Sequence, residues 1–257
     1  MTGALRIVGQ SFISLAETTG GMAVLLGRIL RVAATLRFDR AEFIKNLYRM
    51  AVKSLPIVVV TALFTGAIMV LQAAPIVQRY GAHALLGWGA GFGTLREVAP
   101  LLTALMISGR VGANNTAELG TMVVTEQLDA LRVLAIDSIA FLIAPRFVAV
   151  VLTLLLVTLF ADALALFGAA YTGRALLQVE PQTFFNGLTG GLLGFWDVAT
   201  GLIKSLMFGS VIGLASCYFG LATTGGAPGV GRAVNATVVA SAAGVFVLDY
   251  AASFLLS

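Results

Sequence analysis

The chain has almost none of the residues on which most catalytic and metal sites are built. Cys217 is the single cysteine and His83 the single histidine among 257 residues. One cysteine excludes an internal disulfide framework and a zinc site made of several thiolates. One histidine excludes the multi-histidine metal sites. His83 also lies in a segment that reads as a solvated loop, so a Ser–His dyad has no support there. Charge is scarce as well. Asp, Glu, Lys and Arg are 11% of the chain, against about 25% in soluble domains. Hydrophobic residues are 59%. A soluble domain is excluded, and an all-α integral membrane protein is expected. The alternating ten-residue strands of an outer-membrane barrel are missing. So is the ordered basic, apolar and small-residue pattern of a cleavable signal peptide, and the spans themselves would direct insertion.

What charge there is lies unevenly. Residues 1–53 hold Arg6, Arg28, Arg31, Arg37, Arg40, Lys45, Arg49 and Lys53, half of the 16 basic residues. Residues 12–36 are apolar but broken by Glu17, Arg28 and Arg31, and a short first span there is the alternative to an interfacial segment. From Ala41 to Leu55, Ile44, Leu47, Tyr48 and Ala51 share one helical face while Lys45, Arg49 and Lys53 form a stripe on another. Such a helix lies in the interface and is drawn to anionic headgroups. Residues 1–54 are therefore expected to form an N-terminal interfacial or elbow region.

Leu55–Ala74 is free of charge for 20 residues, enough to cross a hydrocarbon core of about 30 Å. Pro56 fits the first turn of that helix. Further spans are expected at about 92–115, 139–171, 198–221 and 233–255, which makes five. A loop followed by a close-packed helix start is expected at 78–94, a loop at 173–196, and a glycine-rich turn at 222–232. Gly209 and Gly213 have the spacing that lets helices approach closely. Between the second and third spans, Glu118–Ile136 reads as an extramembrane helix. Thr125 fits its N-cap, and Glu126 and Asp129 would stand in its first turn, where the helix dipole favours anions. Basic residues flank this segment and crowd the N-terminus, whereas the other side has only Arg79 and Arg174. The positive-inside rule then places the N-terminus and Glu118–Ile136 in the cytoplasm and Ser257 on the far side.

Arg96, Glu97, Asp162, Lys204 and Asp249 fall within or beside spans. An ion at the bilayer centre costs about 2.5–3.5 kcal/mol on insertion scales, so such residues face an interior or a wet cavity and pair. The bland alternative is that Arg96 and Glu97 snorkel to an interface and the others only lock helices together. Lys204 could pair with Asp249 or with Glu97. Asp162 and Asp249 could supply the aspartate pair of an intramembrane protease, but no glycine adjoins Asp249. Gly226–Gly231 has the glycine spacing of a phosphate-binding loop, yet Arg232 and Ala233 replace its Lys and Ser/Thr. It reads as a turn. Any ATP-driven step therefore needs an ATPase in another chain, and no cofactor is expected in this one.

Four stretches in order carry a resemblance. They are Leu95-Arg96-Glu97-Val98-Ala99-Pro100, Gly109-Arg110-Val111-Gly112, Ala117-Glu118-Leu119-Gly120-Thr121-Met122 and Val124-Thr125-Glu126-Gln127-Leu128-Asp129-Ala130-Leu131. With Ile203-Lys204-Ser205 and Leu248-Asp249 they resemble the MlaE family, permease subunits of the ABC transporters that work with MCE proteins. Asn114-Asn115-Thr116 departs from that family's usual small or apolar residues. The resemblance implies a permease domain over residues 55–257, in a homodimer in the inner membrane of a bacterium, with the C-terminus periplasmic. It implies a cytoplasmic ABC ATPase, often a STAS-domain protein, a periplasmic MCE-domain hexamer, and phospholipid as cargo. Glu118, Thr125, Glu126 and Asp129 would then couple to the ATPase. Arg96, Glu97, Lys204 and Asp249 would line or brace a lipid cavity. A secondary transporter using intramembrane carboxylates, or a non-transporting membrane scaffold, are the alternatives.

Overall fold

A computed structural model describes residues 2–34, 39–81, 85–190 and 193–256. His83 and Ser257 lie outside the described residues. Among the described residues the fold is all helix. We number the helices α1 Thr2–Ala34, α2 Arg40–Tyr80, α3 Leu86–Val124, α4 Gln127–Val133, α5 Ile139–Leu177, α6 Pro181–Thr189, α7 Phe195–Leu221 and α8 Gly226–Leu255. In lipid the backbone must satisfy its own hydrogen bonds, and long apolar helices do so within one segment.

Six helices are long and apolar enough to cross a membrane: Phe12–Ala34 within α1, then α2, α3, α5, α7 and α8. The five expected spans are all among them, and α1 is a further candidate by length and composition alone, at the place where a short first span is the alternative to an interfacial segment. The expected boundaries also move. The basic stripe at 41–55 is not a separate interfacial helix but the first third of the 41-residue α2, which runs on through the charge-free stretch. Asp39 caps it, its carboxylate accepting from the N–H groups of Ala41 at 2.8 Å and Glu42 at 3.3 Å. Pro56 is inside this helix, not in its first turn. Gly81, at φ 65°, ends it. The loop expected at 173–196 is mostly helix: α5 runs to Leu177, and α6 follows. The glycine-rich turn shortens as well, because α8 starts at Gly226.

The helix expected over Glu118–Ile136 is broken in two. α3 continues to Val124, so Glu118 is one of its residues. Thr125 is no N-cap: it ends α3, and its hydroxyl donates back to the Thr121 carbonyl at 2.9 Å. Serine and threonine can bond backwards along a helix as readily as forwards at a cap. Glu126 turns the chain through a left-handed conformation, φ 58°, into the short α4.

Three π turns interrupt the helices, at Thr94–Val98 and Ser108–Gly112 in α3 and at Ile139–Ile143 in α5. Two of them stand just before a proline, Pro100 and Pro145. Proline lacks an N–H and its ring crowds the carbonyl four residues back, and a widened turn relieves both.

The main core joins α2, α3, α5, α7 and α8 through residues such as Val58, Ile107, Leu154, Phe208 and Val245. α2 and α5 meet most closely. A Cβ on Gly66 would lie 1.8 Å from the Ala165 carbonyl oxygen, and one on Gly168 would lie 2.2 Å from that of Leu63. Gly209 and Gly213 seat α7 on α5 in the same manner, against Val151 and Phe147. Over Phe12–Ala34 α1 is the least covered of the six, and its Leu25 and Ile29 are buried against Leu119, Leu128 and Ile143.

Gly66→Ala should therefore force α2 off α5 and destabilise the protein by about 1–3 kcal/mol, as overpacking does. Gly89→Ala, where a Cβ meets nothing within 4 Å, should stay near wild type. Unfolding in detergent, followed by circular dichroism, checks the pair.

Candidate functional site

Two layers of charge cross the bundle. Glu97 and Glu118 mark them on α3, 21 residues apart, which is about 30 Å along a helix. That is comparable with the hydrocarbon core, so the two layers stand toward its opposite edges.

The first layer is centred on Lys204, whose side chain has no exposed surface. Gly201, one turn earlier, lets α7 close on α3: a Cβ there would be 2.1 Å from the Leu95 carbonyl oxygen. The π turn Thr94–Val98 directs Glu97 to meet the lysine. The Lys204 ammonium donates to Glu97 Oε2 and to Ser253 Oγ, the latter at 2.7 Å. Asp249 Oδ1 lies 3.0 Å from the ammonium but off its hydrogen-bonding direction, an ion-pair contact rather than an aligned bond. The structure thus brings Glu97, Lys204 and Asp249 together, with both carboxylates on one ammonium. Burying a charge is tolerable only when it is paired and hydrogen-bonded, and here two helices, α3 and α8, supply the partners.

Arg96 is next to this cluster but turned away from it. It lies over the Phe92 ring and donates to Asp197 Oδ1 at 3.1 Å and to the Leu256 carbonyl at 3.1 Å. It therefore ties α3 to the start of α7 and the end of α8. Asp197 also caps α7, accepting from the Gly194 N–H at 2.9 Å. Neither Asp197 nor Ser253 is singled out by sequence, since each is an ordinary polar residue until the register is known. Asp162 is in neither layer. It is buried on α5, and its two oxygens have no hydrogen-bond partner among the described residues. It does not pair with Asp249.

The second layer is centred on Arg146, 5% exposed. Its guanidinium reaches Glu118 at 3.1 Å and the Asn115 side-chain oxygen at 3.3 Å, and Glu42 stands 3.9 Å away. Glu118 also accepts from Arg49 at 2.7 Å and from Asn114 at 2.9 Å. Asn115 donates on to Ser216 at 2.8 Å, and Thr116 shares a 2.8 Å hydrogen bond with Thr237. Asn115 and Thr116 thus join α3 to α5, α7 and α8. Glu118 is occupied inside the chain.

Beyond this layer α4 projects from the bundle on Leu128, which is buried. Glu126 and Asp129 are exposed, and Asp129 pairs with Arg132 at 2.8 Å along the same helix. Val133, 87% exposed, and Leu134 add an apolar patch beside these charges. Among the described residues no three His, Cys, Asp or Glu side chains come together as a metal site.

Comparison with known proteins agrees with this architecture. The profile of a family described as Permease MlaE matches residues 43–255. A probable ABC transporter permease protein of Synechocystis sp. is 36% identical over 232 residues, 90% of this chain and 88% of its own. The chloroplastic protein TRIGALACTOSYLDIACYLGLYCEROL 1 of Arabidopsis thaliana is 35% identical over 82% of this chain and 60% of its own. The intermembrane phospholipid transport system permease protein MlaE of Haemophilus influenzae is 27% identical over 96% of this chain and 94% of its own.

Lys204→Met should leave two carboxylates facing each other without a cation and lower stability by about 3 kcal/mol. Adding Glu97→Gln and Asp249→Asn to it should recover part of that loss. A stepwise series of unfolding midpoints measures the coupling, and additive losses would contradict the geometry.

Proposed function

The chain belongs to the MlaE permease family, a membrane-spanning transport component of ABC type, and on that footing we propose that it moves phospholipid between the inner and outer membranes of a bacterium. It does so as a homodimer, with a separate ABC ATPase in the cytoplasm, a periplasmic MCE-domain hexamer, and in some assemblies a STAS-domain protein. The observation that carries the reading is the placement of two different devices at opposite ends of one bundle. At one end is a buried ammonium clamped by two carboxylates. At the other is α4, a short helix seated on Leu128 with Glu126 and Asp129 left exposed.

The charge distribution supports the sidedness. Arg28, Lys45, Arg49, Lys53, Arg132 and Arg232 belong to the end that carries α4, and Arg79, Arg96 and Arg174 to the other. Positive charge is retained on the cytoplasmic side, so α4 faces the ATPase. Leu25 and Ile29 of α1 pack beside Leu128 of α4, which supports an elbow lying in the cytoplasmic interface with the N-terminus cytoplasmic and the C-terminus periplasmic.

Within this reading the Lys204 layer is the working part near the periplasmic side. An incoming lipid phosphate and the carboxylates of Glu97 and Asp249 compete for the same cation. A lipid headgroup can draw the ammonium only by loosening contacts to α3 and α8, so headgroup binding is coupled to helix position. Arg96, held over Phe92 at the rim, is the second cation available to the phosphate. The reading as a proton-coupled carrier has one observation in its favour, the buried and unpartnered Asp162. Asp162→Asn separates the two, since only the carrier loses transport with it.

Glu126→Lys with Asp129→Lys should cut recruitment of the ATPase by about tenfold or more, because like charges then face each other across the contact. Insertion should be unaffected. Co-purification of the ATPase from membranes measures the first, and protease accessibility of α4 the second. In the reconstituted complex, Lys204→Ala should abolish ATP-driven transfer of a fluorescent phospholipid to acceptor vesicles.

A further inference from the structure

The α4 end of the bundle holds charges that the lipid path described above leaves unused. A cavity of about 260 Å³ opens there between α2 and α3. Arg49 and Lys53 line it from α2, and Arg110, Asn114 and Glu118 from α3. Glu118 is the one carboxylate in this lining, and it is engaged by Arg49, Arg146 and Asn114. Lys53 and Arg110 are both exposed, and neither forms an ion pair among the described residues. A concave site with unneutralised cations on both walls concentrates anions. Arg110 is set there by the Ser108–Gly112 π turn, an irregularity that often marks function.

Position narrows the class of anion. Lys53 stands two residues before the charge-free stretch that starts at Leu55, where hydrocarbon gives way to headgroups. Met50 and Val111 supply an apolar flank to the same cavity. The volume is below the roughly 300–1,000 Å³ of pockets that enclose a whole drug-sized ligand, so it admits a headgroup while the tails stay outside.

We propose that this cavity binds the phosphate of a phospholipid headgroup at the α4 end of the bundle, with Lys53 and Arg110 as ligands and Arg49 beside them. It would be a second lipid station, about 20 Å along α3 from the Lys204 layer. The proposal rests on phospholipid being the cargo. A free phosphate has the same chemistry, and the test separates the two sources.

The full-length chain in detergent is offered dioleoyl phosphatidylglycerol, dioleoylglycerol or inorganic phosphate, and adducts are counted by native mass spectrometry. The expected result is retention of phosphatidylglycerol and not of dioleoylglycerol. Lys53→Gln with Arg110→Gln should weaken one phosphatidylglycerol adduct by at least about tenfold, the effect of losing charge-assisted bonds. Lys53→Arg with Arg110→Lys should restore it. Arg110→Gln alone, with its side chain exposed, keeps the test open if the double variant does not fold. Unchanged phosphatidylglycerol retention in the folded Gln variants overturns the proposal. Inorganic phosphate adducts that vanish in the Gln variants while phosphatidylglycerol is unaffected overturn the headgroup in favour of a free anion. Lipid transfer by the reconstituted complex distinguishes the two failures. If wild type transfers lipid and Lys204→Ala does not, a negative binding result removes the cavity alone. If wild type transfers no lipid, the proposed function itself is removed.

Discussion

An ammonium group with no access to water constrains this bundle more than any apolar contact does. Lys204 must find oxygen on three sides, and it does so only if α3, α7 and α8 hold one register. A slip of one residue in any of them would leave a charge unpaired in a low-dielectric site. Apolar surfaces can slide and repack at small penalty, whereas a buried ion pair has one answer. The interaction is best understood as a device for specifying arrangement, since a well-packed apolar substitute would serve stability as well or better.

Arg146 plays the corresponding part at the other end. With Glu118, Arg49, Asn115 and Glu42 it joins α2, α3 and α5, and through Ser216 and Thr237 the network continues to α7 and α8. Between the two polar layers the core is apolar, with Ile107, Leu154, Phe208 and Ile212 among its members. The bundle is thus fixed by polar contacts at two levels and by close packing between them.

Much of this was legible before any coordinates. The charge-free run from Leu55 shows a span by length alone, and an isolated Lys204 or Asp249 in apolar sequence has to be paired. The motif around Arg96 and Glu97 pointed to the family and to the same residues. Helix ends were less legible, for identifiable reasons. Thr125 looks like an N-cap because a threonine hydroxyl serves either end of a helix, and only the left-handed Glu126 decides which. The basic stripe of α2 looked like a separate element because charge marks where a helix leaves the membrane, not where it stops. Arg146 reads in sequence as one more basic residue flanking Glu118–Ile136, although it is nearly fully buried, because its partners come from two other helices. The π turns leave no mark in helix propensity, yet Pro100 and Pro145 were visible signals for two of the three.

The backbone contacts at Gly66 and Gly168 divide the molecule mechanically. Each glycine of one helix is pressed against a carbonyl of the other, so α2 and α5 can neither slide along nor roll over one another without steric collision. They make a single stiff beam. Shear must then take place at other seams. After α1, the helix with the least buried span is α8, which also carries Asp249 and Ser253. The more exposed α8 is joined to the rest of the bundle by polar contacts at two levels, Thr237 on Thr116 and Asp249 with Ser253 on Lys204, and it holds two of the three oxygen-bearing side chains that face the Lys204 ammonium.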